Sequence, residues 1–264
     1  MLESYLRRKL QEKKILLMTH IVLGYPGFDD SFRLIETMVA SGVDLMELQI
    51  PFSEPTADGP VIVHANQKAL NGGATVKECF KLAVTAAANF DIPFLLMSYY
   101  NIVFRYGVDR FVKDMSQGGL RGAIIPDLPP EEGRVYLEAM HAHHLAPILI
   151  FAPTTPVDRM QTIAACASGF IYCVARKGVT GEPTDFSEEL AAYLRRSRRS
   201  TALPLALGFG IKEKSEIDFL KGKADIAVIG SQTIRVMEQK GISAVGEFIR
   251  GLRANQITLL DKKA

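Results

Sequence analysis

Residues 47–60 read ELQIPFSEPTADGP, and with the four residues before them they form a strand, a loop and the start of a helix. The strand-like run is 43–50, VDLMELQI, in which Glu47 shares the parity of Val43, Leu45 and Gln49. One face of that strand therefore carries a carboxylate where an apolar side chain is expected. Burying an unpaired carboxylate costs several kcal/mol even after relaxation, so Glu47 needs a partner or a task. Asp58, in the loop leaving the same strand, can face the same cavity. Two carboxylates at one strand end suit general acid–base chemistry, because their environments can divide the proton work between them. A salt-bridged core glutamate followed by an Asp-Gly turn is the plainer alternative.

Outward from this stretch, the same unit recurs. Strands are expected at 15–22, 43–50, 93–98, 122–126, 146–151, 169–175, 203–207 and 224–229. Helix-period patterns at 29–41, 61–70, 76–90, 108–117, 130–144, 156–167, 187–196, 212–220, from 231 and over 242–253 separate and follow them. Thr75 with Glu78 three residues on is a capping-box signature for the helix at 76. Near-continuous apolar strands that alternate with helices imply a parallel sheet covered by helices. Eight units in 264 residues match a (β/α)8 TIM barrel in a single domain, residues 1–264, better than an open doubly wound sheet. The helical pattern of residues 2–13 lies ahead of the first strand and is expected to cover one end of the core.

Composition narrows the class. Lys and Arg number 31 against 29 Asp and Glu, a formal net charge of +2, so the balance asks for neither nucleic acid nor a membrane surface. The dense basic run at 195–199, RRSRR, reads as a solvated helix C-terminus. Cys79, Cys166 and Cys173 have neither metal nor disulfide spacing, which fits a reducing compartment. The charged N-terminus lacks an apolar signal core, and no run reaches membrane-spanning length, so a cytoplasmic protein is expected. No metal is expected: His141, His143 and His144 look like a wet helix end. His20, late in the first strand, reads more simply as a core or rim histidine with a satisfied ring.

In a barrel of this kind, chemistry sits in the loops after the strands. Asp58, Asn101, Asp127 and the Gly178/Gly181 loop occupy such positions. Gly208-Phe209-Gly210 follows the seventh strand, and Gly230-Ser231 follows the eighth and opens a helix. Close backbone approach at glycine and free N–H groups at a helix start make that corner a phosphate site. Each glycine alone could simply punctuate a strand end. Tyr99, Tyr100 and Tyr172 either pack in the core or line a pocket, and periodicity does not choose.

ELQIPFSEPTADGPVI, LLMSYYNIVFRYG, IIPDLPPEE, APTTP, ARKGVTG, LGFGI and IGS, in that order, resemble the α subunits of tryptophan synthase over essentially the whole chain. The resemblance implies a lyase of tryptophan biosynthesis that cleaves indole-3-glycerol phosphate to indole and glyceraldehyde 3-phosphate with no cofactor of its own. It implies Glu47 as the acid–base carboxylate and Asp58 as the acceptor of the indole N–H. Tyr99, Tyr172, Thr180, Gly181, Phe209, Gly210, Gly230 and Ser231 would bind substrate, and Asp127 and Thr180 would serve loop closure. Pro51, Phe52, Glu54, Asn101, Phe104 and Pro129 would dock a pyridoxal-phosphate β subunit in an α2β2 heterotetramer. A weakened barrel acting mainly as the allosteric partner of a β-type subunit, or a stand-alone lyase, is the alternative. Gln49, Glu54 and Thr56 depart from the family's usual Gly, Asp and Leu, and Ala175 from its usual Ser. At Gln49 the side chain is expected to hydrogen-bond Glu47 or to narrow the indole pocket.

Overall fold

The computed structural model describes residues 1–175, 188–208 and 210–253. Eight parallel strands close into a barrel in sequence order: β1 (Leu16–Val22), β2 (Leu45–Gln49), β3 (Phe94–Met97), β4 (Gly122–Ile124), β5 (Ala146–Phe151), β6 (Ile171–Val174), β7 (Leu205–Gly208) and β8 (Ile226–Ile229), with β8 pairing back to β1. The helices are α1 (Leu2–Glu12), α2 (Phe28–Ala40), α3 (Pro60–Asn71), α4 (Val76–Asn89), α5 (Tyr100–Tyr106), α6 (Val108–Gln117), α7 (Arg134–Ala142), α8 (Val157–Cys166), α9 (Glu188–Ser200), α10 (Lys214–Leu220), α11 (Ser231–Lys240) and α12 (Ile242–Arg253). The eight-unit reading holds, and so does the extra N-terminal helix. Thr75 accepts from the Glu78 N–H, and Glu78 returns a bond to Thr75, the reciprocal cap read from the sequence.

Alternation along each strand sorts side chains between two layers. Leu16, Met18, Leu45, Leu95, Met97, Ile124, Ile148, Tyr172, Ala206, Ile226 and Val228 pack together inside the barrel. Ile21, Met46, Leu48, Phe94, Leu96 and Ala123 turn outward to meet α2, α4 and α6, whereas Leu17, Leu149, Ile171, Cys173, Leu205 and Leu207 meet α8, α9 and α10. Leu2 and Leu6 of α1 join the interior cluster and seal its lower end.

Four expectations need correction. A helix, α5, occupies the loop after β3, where the aromatic and branched run YNIVFRY gave no helical signal; it stops at Gly107, whose φ of 91° suits glycine. The helix expected from 130 starts only at Arg134, because 129–133 form a tight turn closed by the Glu132 and Gly133 amides on Pro129 O. Strand β4 ends at Ile124 rather than 126, and Pro126, which has no N–H to donate, has already left the sheet. Gly208, read as the beginning of a phosphate loop, is the last residue of β7. A Cβ there would sit 2.3 Å from Tyr172 Cε1, so this glycine makes room for the Tyr172 ring.

Candidate active site

The site grows out of strand register. In the β1–β2 ladder His20 pairs with Glu47 and Val22 with Gln49. Neighbours across a parallel ladder point to the same face, so His20, Glu47 and Gln49 all enter the barrel near its C-terminal mouth. His20 and Glu47 are each 4% exposed, and Gln49 is fully buried. His20 Nδ1 lies 3.1 Å from Glu47 Oε1. Gln49 Nε2 donates to Asp58 Oδ2 at 2.6 Å, so its amide supports the second carboxylate and not the first, contrary to expectation. Tyr99 donates its hydroxyl to the same Oδ2 at 3.1 Å while accepting from the Ala57 N–H at 3.0 Å. His20 Nε2, Glu47 Oε2 and Gln49 Oε1 find no hydrogen-bond partner among the described residues.

These contacts set the electrostatics. Burial pushes the Asp58 carboxyl above the usual carboxylate range, with Glu47 adding to the rise, although the His20 charge and the bonds from Gln49 and Tyr99 pull the other way. Burial pulls the His20 imidazole down, but the Glu47 carboxylate, its hydrogen bond, Asp58 and Gln49 outweigh it, and His20 stands above its ordinary value. Tyr172, buried and facing both carboxylates, is raised well above the range of an exposed phenol and stays neutral.

Glu47 and Asp58 open into one cavity. Its apolar lining comes from Ile62, Met97, Ile124, Ile150, Val174 and Val228 with Pro126 and the Tyr172 ring. Its polar lining is completed by Gly210, Lys212, Gly230, Ser231, Gln232 and Arg235. Gly230 is the N-cap of α11 and contributes no side chain, and with Ser231 and Gln232 it puts the start of that helix on the cavity wall. Gly210 has φ 89°, a backbone state that L side chains rarely adopt.

The predicted residues are distributed as follows. Glu47, Asp58, Tyr172, Gly210, Gly230 and Ser231 line the cavity, and Tyr99 stands behind Asp58. Thr180, Gly181 and Phe209 lie outside the described residues. Asp127 is exposed, and both its oxygens accept from the Tyr100 N–H, at 2.9 and 3.1 Å. At the rim, Glu54, Asn101 and Pro129 are exposed, Phe104 is 68% exposed and Phe52 is half-buried, stacked on Tyr99 with ring centroids 5.0 Å apart. Pro51 is buried at the base of the loop.

Sequence reasoning missed four contributors. His20 has a ring satisfied at one nitrogen only, and the signal for it was its parity, since Leu16, Met18 and His20 share one face of β1. Lys212 and Arg235 bring positive charge to the helix-start corner, and both lay next to the glycine motifs that pointed there. Asn66, 1% exposed, accepts from the Phe52 N–H at 2.8 Å and so pins the loop after β2 to α3; nothing in the sequence marks it.

Among the described residues no helix is long and apolar enough to cross a membrane, and no three His, Cys, Asp or Glu side chains are grouped as metal ligands. A family profile described as tryptophan synthase alpha chain matches residues 6–256. A tryptophan synthase alpha chain of Desulforapulum autotrophicum is 61% identical over 252 residues, 96% of this chain and all of that protein. One from Syntrophotalea carbinolica is 62% identical over 253 residues, again 96% of this chain and all of the relative. Among solved structures, tryptophan synthase of Mycobacterium tuberculosis superposes with a TM-score of 0.89 at 29% identity, covering 96% of each chain. A tryptophan synthase alpha-subunit mutant of Pyrococcus furiosus gives 0.83 at 26% identity, over 91% of this chain and 98% of that one. Matched along almost its entire length by sequence and by barrel geometry, the chain belongs to the tryptophan synthase alpha chain family.

Proposed function

We propose that this chain cleaves indole-3-glycerol phosphate to indole and glyceraldehyde 3-phosphate, with Glu47 carrying protons and Asp58 holding the indole nitrogen. The observation that carries the reading is a single cavity that combines two buried carboxylates, apolar walls and a helix start flanked by cations. That combination matches the substrate: an aromatic ring bearing one N–H, a short polyol, and a phosphate.

The steps follow from the placement. Phosphate binds against the α11 amides, Gly210, Lys212 and Arg235, and this remote binding orients the reacting end. The indole ring lies in the apolar slot with its N–H donated to Asp58. Glu47 delivers a proton to indole C3, which makes the ring an electron sink, and the positive charge on the ring nitrogen is stabilised by Asp58. The Glu47 carboxylate then takes the proton of the adjacent glycerol hydroxyl. The C–C bond breaks, its electrons restore the aromatic ring, and the hydroxyl carbon becomes the aldehyde of glyceraldehyde 3-phosphate. Proton count is conserved, and the reading asks no cofactor of this chain. Thr180, Gly181 and Phe209 belong to this substrate set by family resemblance, as does Asp127 for closure.

The reading places 1–264 in one cytoplasmic domain, docked through Phe52, Glu54, Asn101, Phe104 and Pro129 to a β-type subunit that holds pyridoxal phosphate, in an α2β2 assembly. Loss of catalysis with retention of an allosteric role was the competing expectation raised by Gln49. Its amide binds Asp58 and is not part of the cavity wall, which favours retuning over occlusion.

Indole release by the purified full chain tests the assignment. Glu47→Gln and Asp58→Asn are each expected to lower turnover by about 100-fold or more, the range for a positioned proton carrier, with the thermal midpoint preserved. Wild-type turnover in either variant removes the role given to that residue.

A further inference from the structure

We propose that His20 is a positioning residue for this cleavage: paired with Glu47, it keeps on the pair the one proton that indole C3 receives, and it turns Glu47 Oε2 toward the substrate. The proposal deepens the function above and rests on Glu47 being the proton carrier.

Geometry supplies the argument. The ladder register puts His20 beside Glu47 on adjacent strands, and both side chains line the cavity. Nδ1 holds Oε1 at 3.1 Å, while Oε2 and Nε2 have no partner among the described residues. The carboxyl is thus anchored through one oxygen, and the other is left for chemistry. A lone buried carboxylate is strongly disfavoured, and an imidazolium against it makes the pair neutral without removing its proton.

Such a pair titrates as a unit, in two macroscopic steps. With one proton it can give to C3 and then receive from the glycerol hydroxyl. With two it cannot accept the hydroxyl proton, and with none it cannot protonate C3. Cleavage therefore follows a bell in pH whose basic limb belongs to the singly protonated pair. Other groups facing His20 shape but do not replace this limb. Asp58 from the β2–α3 loop adds negative charge, Tyr172 from β6 stays neutral, and Lys212 and Arg235 line the same cavity. Consistently, the His20 imidazole is held above its ordinary value despite burial.

The test is the pH profile of kcat for indole release by the full chain, wild type against His20→Asn and His20→Phe. His20→Phe removes the Nδ1 donor and leaves a lone carboxyl, whereas His20→Asn can keep a neutral donor to Oε1 but removes the titrating imidazole; in both the pair loses its second proton-binding group. The basic limb is expected to move about one pH unit or more toward acid, and turnover near pH 7.5 to fall about tenfold or more. Profiles that keep the wild-type limb and differ only in height would mean that His20 merely fills space, and would overturn the proposal. Glu47→Gln separates the two levels: if that variant keeps turnover, the proposed reaction fails at Glu47, whereas if it is dead and the His20 limb does not move, only the present inference fails. A second measurement needs no change at position 20. Proton NMR of the imidazole signals, with His20 assigned by its loss in His20→Asn, should show its titration midpoint dropping in Glu47→Gln; an unmoved midpoint refutes the pairing.

Discussion

At the scale of single residues, the acid end of the cavity is a set of paired side chains. In the proposed reaction Asp58 must be anionic to receive an indole N–H, yet burial raises its pKa, and the bonds from Gln49 and Tyr99 act against that rise. Removing the Gln49 amide in Gln49→Gly therefore lifts the Asp58 pKa further, and the acid limb of the kcat/KM profile should shift to higher pH. The sign is fixed: a group whose charged form is needed loses function as pH falls through its pKa, and a higher pKa brings that loss nearer neutrality. Loss of one hydrogen bond to a charged group corresponds to about 1.5–3 kcal/mol, or roughly tenfold or more in kcat/KM below pH 6. An acid limb identical to wild type would mean that Gln49 serves only packing. Parity along VDLMELQI made Glu47 and Gln49 legible as inward-facing residues. Their separate partners, His20 and Asp58, depend on register and loop path, which no local pattern encodes.

At the scale of elements, α5 shows how the barrel fixes a short helix that its own sequence does not. Seven residues are too few for independent helix formation, and Tyr99 as N-cap makes no side-chain bond to the helix amides. Asp127, from the loop after β4, takes its place by accepting the Tyr100 N–H with both oxygens. The same helix presents Asn101 and the exposed Phe104 at the rim. Asp127→Ala should therefore loosen the start of α5 by about 1 kcal/mol, the usual worth of a cap. The consequence should be a several-fold weaker Kd for a β-type subunit by calorimetry, while indole release from the isolated chain changes less. Equal affinity for the two proteins would remove Asp127 from that role. From the sequence, Asp127 was visible as a strand-end acid; the helix it caps was not, because aromatic and β-branched residues at 100–106 carry weak helical preference.

At the scale of the whole molecule, stability and chemistry occupy opposite ends of the barrel. At the lower end Asp44, 3% exposed, accepts from the Leu17 N–H at 2.8 Å, from Lys13 Nζ at 2.5 Å and from Arg253. It thereby joins the end of α1, the start of β1 and the last turn of α12, segments that lie far apart in the chain. Asp44→Ala leaves a buried amide without its acceptor and two partly buried cations without their partner. A loss of about 3 kcal/mol in unfolding free energy is expected from urea denaturation, with kcat for indole release unchanged under native conditions. Closure explains the breadth of the effect: β1 pairs with both β2 and β8, so loosening its start strains two ladders.

The sequence by itself determined the repeated strand–helix unit, the eight-fold count, the sealing N-terminal helix and the strand-end positions of Glu47, Asp58, Gly210, Gly230 and Ser231. All of these follow from periodicity and punctuation, which are properties of neighbouring residues. Only the tertiary structure decided that His20 faces Glu47, that Gln49 and Tyr99 converge on Asp58, that Asn66 holds the loop and that Lys212 and Arg235 line the same cavity as Gly210 and Gly230. Those pairings join residues brought together by barrel closure, ladder register and loop path, and a linear pattern carries no information about which side chain comes to rest across a ladder.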